Sequence, residues 1–207
     1  MNPKRIPLFP LDVVLFPGIE LTLHIFEPRY KLMIRRCVDE KLEFGVVLAR
    51  EEGIAGVGCT AAVVEVVRTF PDGKMDILTE GRTAYQVIEL VEEKPYYEAD
   101  VEYLEEEETP DIAALAPEKL LDLYGQCHQL LFGGSPDPVE DDPGLSLAFQ
   151  IASDLPLELS YRQELLEIRR ESERREQLAL RLSEWLPQLE RMKEIRRRSG
   201  GNGHGFV

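Results

Sequence analysis

Residues 7–30, PLFPLDVVLFPGIELTLHIFEPRY, restrict the possible folds more than any other part of the sequence. Prolines interrupt the stretch repeatedly, so the backbone has to turn while two short apolar runs, residues 13–16 and 19–26, stay largely buried. In the second run the aliphatic residues alternate with Thr22 and His24, which is typical of a strand with one buried face. This pattern favours a β-barrel and argues against a helix.

A change of period after Phe26 predicts a helix that begins at Pro28. Proline is favoured in the first turn of a helix, where its missing N–H costs no hydrogen bond. Apolar residues then recur at helical spacing, at Tyr30, Met33, Ile34, Cys37 and Val38. The segment therefore predicts a strand, a turn, a second strand and a helix that packs on a sheet.

Short strand patterns continue to residue 103. They lie at residues 44–48, 60–70, 74–79, 83–93 and 96–103, with turns predicted at residues 71–73 and 81–82. Both faces of residues 60–70 carry valine, which indicates a central strand or one that passes from one side of a barrel to the other. We expect a small β-barrel capped by the single helix.

The acidic run, residues 105–108, marks a sharp change of composition. Such a run can bind a basic partner, but we interpret it as a linker, because charge runs are more often solvated. Helix patterns replace strand patterns beyond it. The sequence predicts an α+β protein with a barrel subdomain over residues 1–108, a helical subdomain with one long helix over residues 109–198, and a flexible tail over residues 199–207.

Two shorter helices are predicted after the acidic run. The first begins at Pro117 and ends at Gly133, because proline favours a helix start and glycine a helix end. The second covers residues 145–155 and stops before Pro156.

The longest helix is predicted to begin at Ser160, where a capping-box pattern starts. Its middle, residues 169–177, is almost wholly charged. Pairs four residues apart, such as Glu171 with Arg175, have to balance these charges if the helix forms. Pro187 is expected to kink or restart the helix.

The composition excludes several classes of protein. A formal net charge of -15 argues against binding to a nucleic-acid backbone. The cysteines, Cys37, Cys59 and Cys127, are widely spaced and odd in number, which argues against a disulfide framework or zinc site and fits a reducing cytosol. No run approaches the roughly 20 apolar residues of a membrane helix, and the N-terminus lacks the apolar core of a signal peptide. We expect a cytoplasmic protein.

The sequence contains no recognisable catalytic or metal-binding set. Three glycines lie between residues 53 and 58, but no Gly-Lys-Ser or Gly-Lys-Thr follows them, which excludes a P-loop. His24 lies on a predicted strand, His128 points away from Cys127 on a helix, and His204 lies in a glycine-rich tail. We therefore expect no catalytic residue, no metal ligand, no cofactor and no enzyme activity.

Glu27, Arg29 and Tyr30 lie where the second predicted strand passes into the helix. Glu27 is placed to accept backbone N–H bonds at the helix start, where the helix dipole also favours a negative charge. Arg29 is able to pair with an acidic residue of a strand or of a partner. We interpret the three residues as a structural junction and not as a catalytic site.

These residues also carry a resemblance to a known family. The segment PLFPLDVVLFPGIELTLHIFEPRYKLMI resembles the opening of the Lon substrate-binding domain, with its P-L-F-P-L stretch, V-L-F-P-G turn and I-F-E-P-R-Y junction. Later pieces are similar as well, namely FGVVL, GCTA, the Gly81-Arg82 pair and LELSYRQELLE. The resemblance extends from about residue 7 to about residue 187.

The resemblance implies a PUA-like pseudo-barrel followed by a helical bundle. In full-length Lon proteases this region binds substrates and helps to assemble the ring. The AAA+ motor and the Ser-Lys protease domain of Lon would follow it, and this sequence stops at Val207 without either. The resemblance is therefore to stand-alone members of the family.

Two functions remain open. The first is a non-catalytic module that binds exposed apolar polypeptide segments or a partner protein, with Phe9, Phe16 and Phe26 lining a groove, although each aromatic residue taken singly also fits a core position. The alternative is a small-molecule or RNA binder, because relatives of the PUA-like barrel bind RNA. Net acidity argues against RNA, while residues 169–175 and 196–198 form local basic runs.

Overall fold

Strands fill the first half of the molecule and helices the second. The structure, a computed structural model, describes residues 3–107, 116–139 and 144–200, with side chains up to residue 195. The strands and the first helix are β1 (Lys4–Leu11), β2 (Glu20–Ile25), α1 (Pro28–Glu40), β3 (Phe44–Arg50), β4 (Gly53–Thr69), β5 (Met75–Val91) and β6 (Glu98–Tyr103). The later helices are α2 (Pro117–Phe132), α3 (Leu147–Asp154), α4 (Leu159–Glu167) and α5 (Glu171–Gly200). The predicted α+β class is confirmed.

The strands form one sheet that closes on itself. Their order is β2-β5-β4-β3-β1-β6, and β6 also pairs with β5. Strands β1 and β3 are parallel, and the other pairs are antiparallel. The first part of β5 pairs with β2 and its last part with β6, so β2 and the β4–β5 hairpin extend beyond the closed barrel.

The first apolar run, residues 13–16, is a buried loop, so the strand predicted there is wrong. Strand β1 lies upstream, because Leu8 to Leu11 pair with β3 and Lys4 to Pro7 pair with β6. Strand formation depends on such partners, which periodicity does not reveal. The predicted strand at β2 and the helix start at Pro28 are confirmed.

Gly81 lies inside the continuous strand β5, so the turn predicted at residues 81–82 is also wrong. Its amide donates to Ile19 O and its carbonyl accepts from Gly18 N, both at 2.9 Å. A Cβ at Gly81 would overlap the carbonyl oxygen of Phe16. This glycine therefore permits a close backbone approach and does not reverse the chain.

The predicted long helix is two helices, α4 and α5. Helix α4 is capped at Glu158 and not at Ser160, and Ile168 ends it in an extended conformation. The helix breaks here because the backbone carbonyl of Arg169 accepts a hydrogen bond from Glu107 N, at 3.0 Å, and not from a residue further along the helix. Helix α5 then runs through Pro187 as one element.

A single hydrophobic core joins the barrel to the helices. The predicted subdomain boundary, between residues 108 and 109, lies outside the described residues. So do residues 201–207 of the predicted tail. The first two residues of that tail, 199 and 200, belong to α5. Among the described helices, none combines the length and apolar character needed to cross a membrane.

Candidate functional site

Two of the three predicted peptide-binding aromatic residues, Phe9 and Phe16, are buried in the core. The Phe9 ring centroid lies 4.1 Å from that of Tyr30, and Phe16 stacks on Phe149 of α3 at 4.6 Å. Phe16 thereby connects the barrel to the helices. In this conformation neither ring is accessible to a bound peptide.

The third residue, Phe26, is 57% exposed. Its ring lies 5.9 Å from the His24 ring, which lies 5.9 Å from Phe70. The Arg68 guanidinium stacks 4.5 Å from the Phe70 centroid. We call Phe26, His24, Phe70 and Arg68 the tip surface, because they lie at the end of the barrel extension.

Strand pairing assembles the tip surface from two separate segments, which β5 holds side by side. His24 of β2 and Arg68 of β4 both lie opposite Asp76 of β5, so the three form one row on the outer face. His24 Nδ1 lies 2.6 Å from Asp76 Oδ1. The surface therefore depends on the register of the sheet.

Beside the tip surface, β4 has a free edge. Its pairing with β3 ends at Ala61, and within the described part of the chain residues 62–69 pair with β5 alone. Val64, Val66 and Val67 are exposed there. The four valines of residues 60–70 all lie after Ala61, on the edge part of the strand, so only residues 60 and 61 of that segment hold a central position between β3 and β5.

The junction residues make contacts within the chain. Arg29 Nε donates to Glu27 Oε2 at 2.9 Å, and the Arg29 guanidinium lies 4.6 Å from the centroid of the Tyr30 ring. Glu27 is the N-cap of α1 but makes no side-chain capping bond. Burial raises the pKa of Tyr30, which packs against Phe9.

A second polar cluster joins the barrel to the helices, and we call it the clamp. At its centre Arg174 of α5 is only 2% exposed. Its guanidinium pairs with Glu106 and with Glu171, and it stacks 4.3 Å from the Phe149 centroid. It also donates to Ile168 O at 3.0 Å. A buried cation with this many partners holds α5 in a defined orientation.

Glu171 is the main anion of the clamp. Burial by itself raises the pKa of its carboxyl, but interactions with the ionised form lower that pKa below its usual value. They come from Ser146, Arg174, Arg175 and the Ala148 amide. The predicted pair of Glu171 with Arg175 is confirmed, at 2.8 Å.

The acidic run and the first basic run complete the clamp. Arg169 donates twice to Glu105 O, at 3.1 and 3.0 Å, and also pairs with Glu107. Arg170 pairs with Glu107 at 3.0 Å. The four described arginines of residues 169–175 are thus all engaged within the chain. Residues 105–108 are acidic and residues 169–175 are rich in arginine, and this opposite charge is the sequence signal for the clamp. From the sequence, the two runs were interpreted separately and their pairing was not predicted.

Apart from the tip surface and the clamp, the described residues include a cleft and three buried cysteines. A cleft of about 340 Å³ lies beside the clamp, lined by Arg82, Leu104 and Phe149 among others. Among the described residues no group of three His, Cys, Asp or Glu side chains is arranged to hold a metal ion. Burial raises the pKa of the Cys37 and Cys127 thiols to about 11, which leaves them protonated at neutral pH.

Comparison with known proteins decides the family. The profile of the ATP-dependent protease La (LON) substrate-binding domain matches residues 5–183. The chain belongs to this family. Both the tip surface and the clamp lie inside the matched region.

This LON domain also resembles two Lon proteases that are much longer than the chain itself. It is 28% identical to the Lon protease of Parabacteroides distasonis over 144 residues, which covers 66% of this chain and 17% of that protein. It is 27% identical to Escherichia coli K12 Lon protease over 221 residues, covering 96% of this chain and 28% of the relative. The chain therefore spans less than a third of these relatives.

Solved structures share the fold. A Lon N-terminal domain protein from Xanthomonas campestris superposes with a TM-score of 0.64 at 26% identity, covering 84% of this chain and 96% of the other. The N-terminal domain of Mycobacterium avium complex Lon protease gives a TM-score of 0.60 at 16% identity, with coverages of 87% and 98%. The second likeness shows the fold alone.

Proposed function

We propose that this LON domain binds exposed apolar segments of other polypeptides without catalysing a reaction, and that the tip surface makes the first contact. The exposure of Phe26 within a continuous aromatic strip carries the proposal. Large exposed aromatic side chains grouped together are typical of interaction sites. The substrate-binding description of the family points to the same kind of partner.

The environment of Phe26 suits a polypeptide. An apolar ring binds an apolar side chain of the partner, while His24, Asp76 and Arg68 offer polar groups to its backbone or charged residues. Motor and protease activities belong to the longer relatives, and we assign neither to this chain. The three free, buried cysteines support a reducing compartment, and we propose the cytoplasm.

A fluorescence titration with a reduced, alkylated and permanently unfolded polypeptide tests the proposal. We expect binding at tens of micromolar or tighter, which corresponds to about −6 kcal/mol or better, and at least about fivefold weaker binding by Phe26→Ser because an apolar anchor is lost. Phe132→Ser is the matched control, since Phe132 is also 57% exposed but lies on α2.

Two outcomes would contradict the proposal. One is no binding by the unaltered protein at 100 µM of the unfolded polypeptide, and the other is an equal loss with Phe26→Ser and Phe132→Ser. A parallel titration with single-stranded RNA tests the alternative function. Binding that falls steeply with added salt would favour RNA over polypeptide.

A further inference from the structure

We propose that the free edge of β4, residues 62–69, takes up a short extended segment of the bound polypeptide as an additional strand, with an acidic group of that segment beside Arg68 and Arg35. This inference rests on the proposed polypeptide binding and specifies how the partner is held. The tip surface contacts the partner through side chains, whereas the edge of β4 binds its backbone.

The backbone of β4 provides the first argument. Residues 62–69 pair with β5 on one side, and on the other side no strand of the described residues continues beyond the pairing of Phe44 with Ala61. In an antiparallel pair, N–H and C=O groups that do not face the partner strand point away from it. The edge therefore presents a row of backbone donors and acceptors that an extended chain can satisfy.

The side chains provide the second argument. Val64, Val66 and Val67 are exposed on this edge. Folded proteins usually protect a free edge with charges or bulges, because an apolar edge associates with other strands. Here bulges lie between Val63 and Glu65 and between Val66 and Arg68. These bulges twist the edge, so they disfavour a long flat strand and limit the added segment to a few residues.

Charge identifies the chemistry of the segment. Arg68 stacks on Phe70, and the Arg35 guanidinium lies close to Gly73, so both cations are next to the turn of the β4–β5 hairpin. Neither forms an ion pair in the described part of the chain, because Asp76, which lies opposite Arg68, bonds to His24 and Asp72 of the hairpin turn pairs with Lys74. An acidic side chain or a C-terminal carboxylate of the bound segment supplies the missing partner.

A second free edge serves as a comparison. Among the described strands, residues 87–91 of β5 pair with β6 alone, and Ile88 and Leu90 are exposed there. Glu89, Glu92 and Glu93 lie on or beside that edge with no cation among residues 87–93, whereas Glu65 and Arg68 balance each other in residues 62–69, so the β5 edge repels an acidic segment more strongly. The same bound peptide should therefore select β4 over β5.

The test uses a fluorescein-labelled peptide of alternating valine and serine that ends in two aspartates. For the double variant Val64→Gln/Val67→Gln we expect at least about tenfold weaker binding, because the apolar contact is lost while the charge of the edge is unchanged. Ile88→Gln/Leu90→Gln is the matched double control, since Ile88 at 55% and Leu90 at 42% are also exposed apolar residues of a strand edge; we expect less than a twofold change. Arg68→Glu should reverse the preference from an aspartate-ended to a lysine-ended peptide.

Two further measurements separate an added strand from side-chain contact. N-methylation of alternate peptide residues removes the N–H donors of one peptide edge, and methylation of the donor-bearing edge should abolish binding. In hydrogen exchange of the unaltered protein, amides of residues 62–69 should gain protection when the peptide is saturating, whereas residues 87–91 should not.

The outcomes distinguish this inference from the function on which it rests. If the unaltered protein binds no unfolded polypeptide, the proposed function fails. If it binds but both methylated peptides bind as well as the unmethylated one, or if amides 62–69 gain no protection, the added strand is wrong and the polypeptide-binding function stands.

Discussion

Two arginine–phenylalanine pairs, one in the clamp and one on the tip surface, stack at nearly the same distance in different surroundings. Arg174 lies 4.3 Å from the Phe149 centroid in the clamp, and Arg68 lies 4.5 Å from the Phe70 centroid on the tip surface. Arg174 is buried and paired with two carboxylates, whereas Arg68 is exposed and pairs with no carboxylate of the described residues. The first pair serves the fold, and the second is available to a partner.

This comparison shows that residue type alone does not assign a role. A cation stacked on an aromatic ring contributes modestly at an exposed site and more when both groups are desolvated. Desolvation is tolerated in the clamp because Glu106 and Glu171 compensate the buried charge. Four predictions test the difference, in order of decreasing effect.

The aromatic members of the two pairs should differ most. Phe149→Ala removes a buried ring that also packs on Phe16, and we expect it to lower the free energy of unfolding by about 4 kcal/mol. Phe70→Ala removes a half-buried ring at the tip and should cost about 1 kcal/mol. Urea denaturation followed by circular dichroism measures both. Equal costs would show that the tip is as important to stability as the clamp.

The arginines should differ in the same direction. Arg174→Ala leaves Glu171 without its buried cation, and we expect a loss of about 3 kcal/mol. Arg68→Ala removes an exposed charge and should change the free energy of unfolding by less than about 0.5 kcal/mol. The same denaturation experiment applies. A neutral Arg174→Ala variant would contradict the stabilising role of the clamp.

Acid should weaken the clamp through Glu171. Because its folded pKa lies below the ordinary value of 4.5, ionised Glu171 stabilises the folded state above that value, and this contribution is lost as the pH falls through the lower folded pKa. We expect Glu171→Gln to reduce the loss of melting temperature between pH 5 and pH 3. Asp76→Asn at the tip is the control, and an equal effect of both changes would exclude Glu171 as the main cause.

Added salt should weaken peptide binding beside the tip surface more than it weakens the clamp, and we expect this difference to be the smallest of the four. Exposed charges are screened strongly at high ionic strength and buried pairs much less. Raising NaCl from about 0.05 to about 0.5 M should weaken binding of the aspartate-ended peptide by about threefold, while the free energy of unfolding changes by less than about 0.5 kcal/mol. Unchanged peptide affinity would argue against an ionic contact at Arg68 and Arg35.

Local patterns were sufficient for several elements. Alternation predicted β2, and the proline at residue 28 together with helical spacing predicted α1. Pro117 and Gly133 marked the ends of α2, where Gly133 has a φ of 81°, a conformation that glycine adopts easily. Each of these features depends on residues that are neighbours in the sequence, so the sequence of this one protein is sufficient to predict them.

Features that depend on distant partners were missed. Residues 13–16 are as apolar as a strand but lie in a buried loop, because β3 and β6 pair with the preceding residues. The long helix is broken where Glu107 N bonds to Arg169 O, across 62 residues of sequence. Neither the loop nor the break has a local signature.

The sequence by itself determined the family, the class of fold and the absence of recognised catalytic motifs, because motif spacing and periodicity are properties of neighbouring residues. Only the tertiary structure decided that Phe9 and Phe16 are core, that Phe26 is exposed, and which arginine is buried. Exposure and charge compensation are set by groups that are distant in sequence and adjacent in space. For that reason the candidate site became visible only when β2, β4 and β5 were placed side by side.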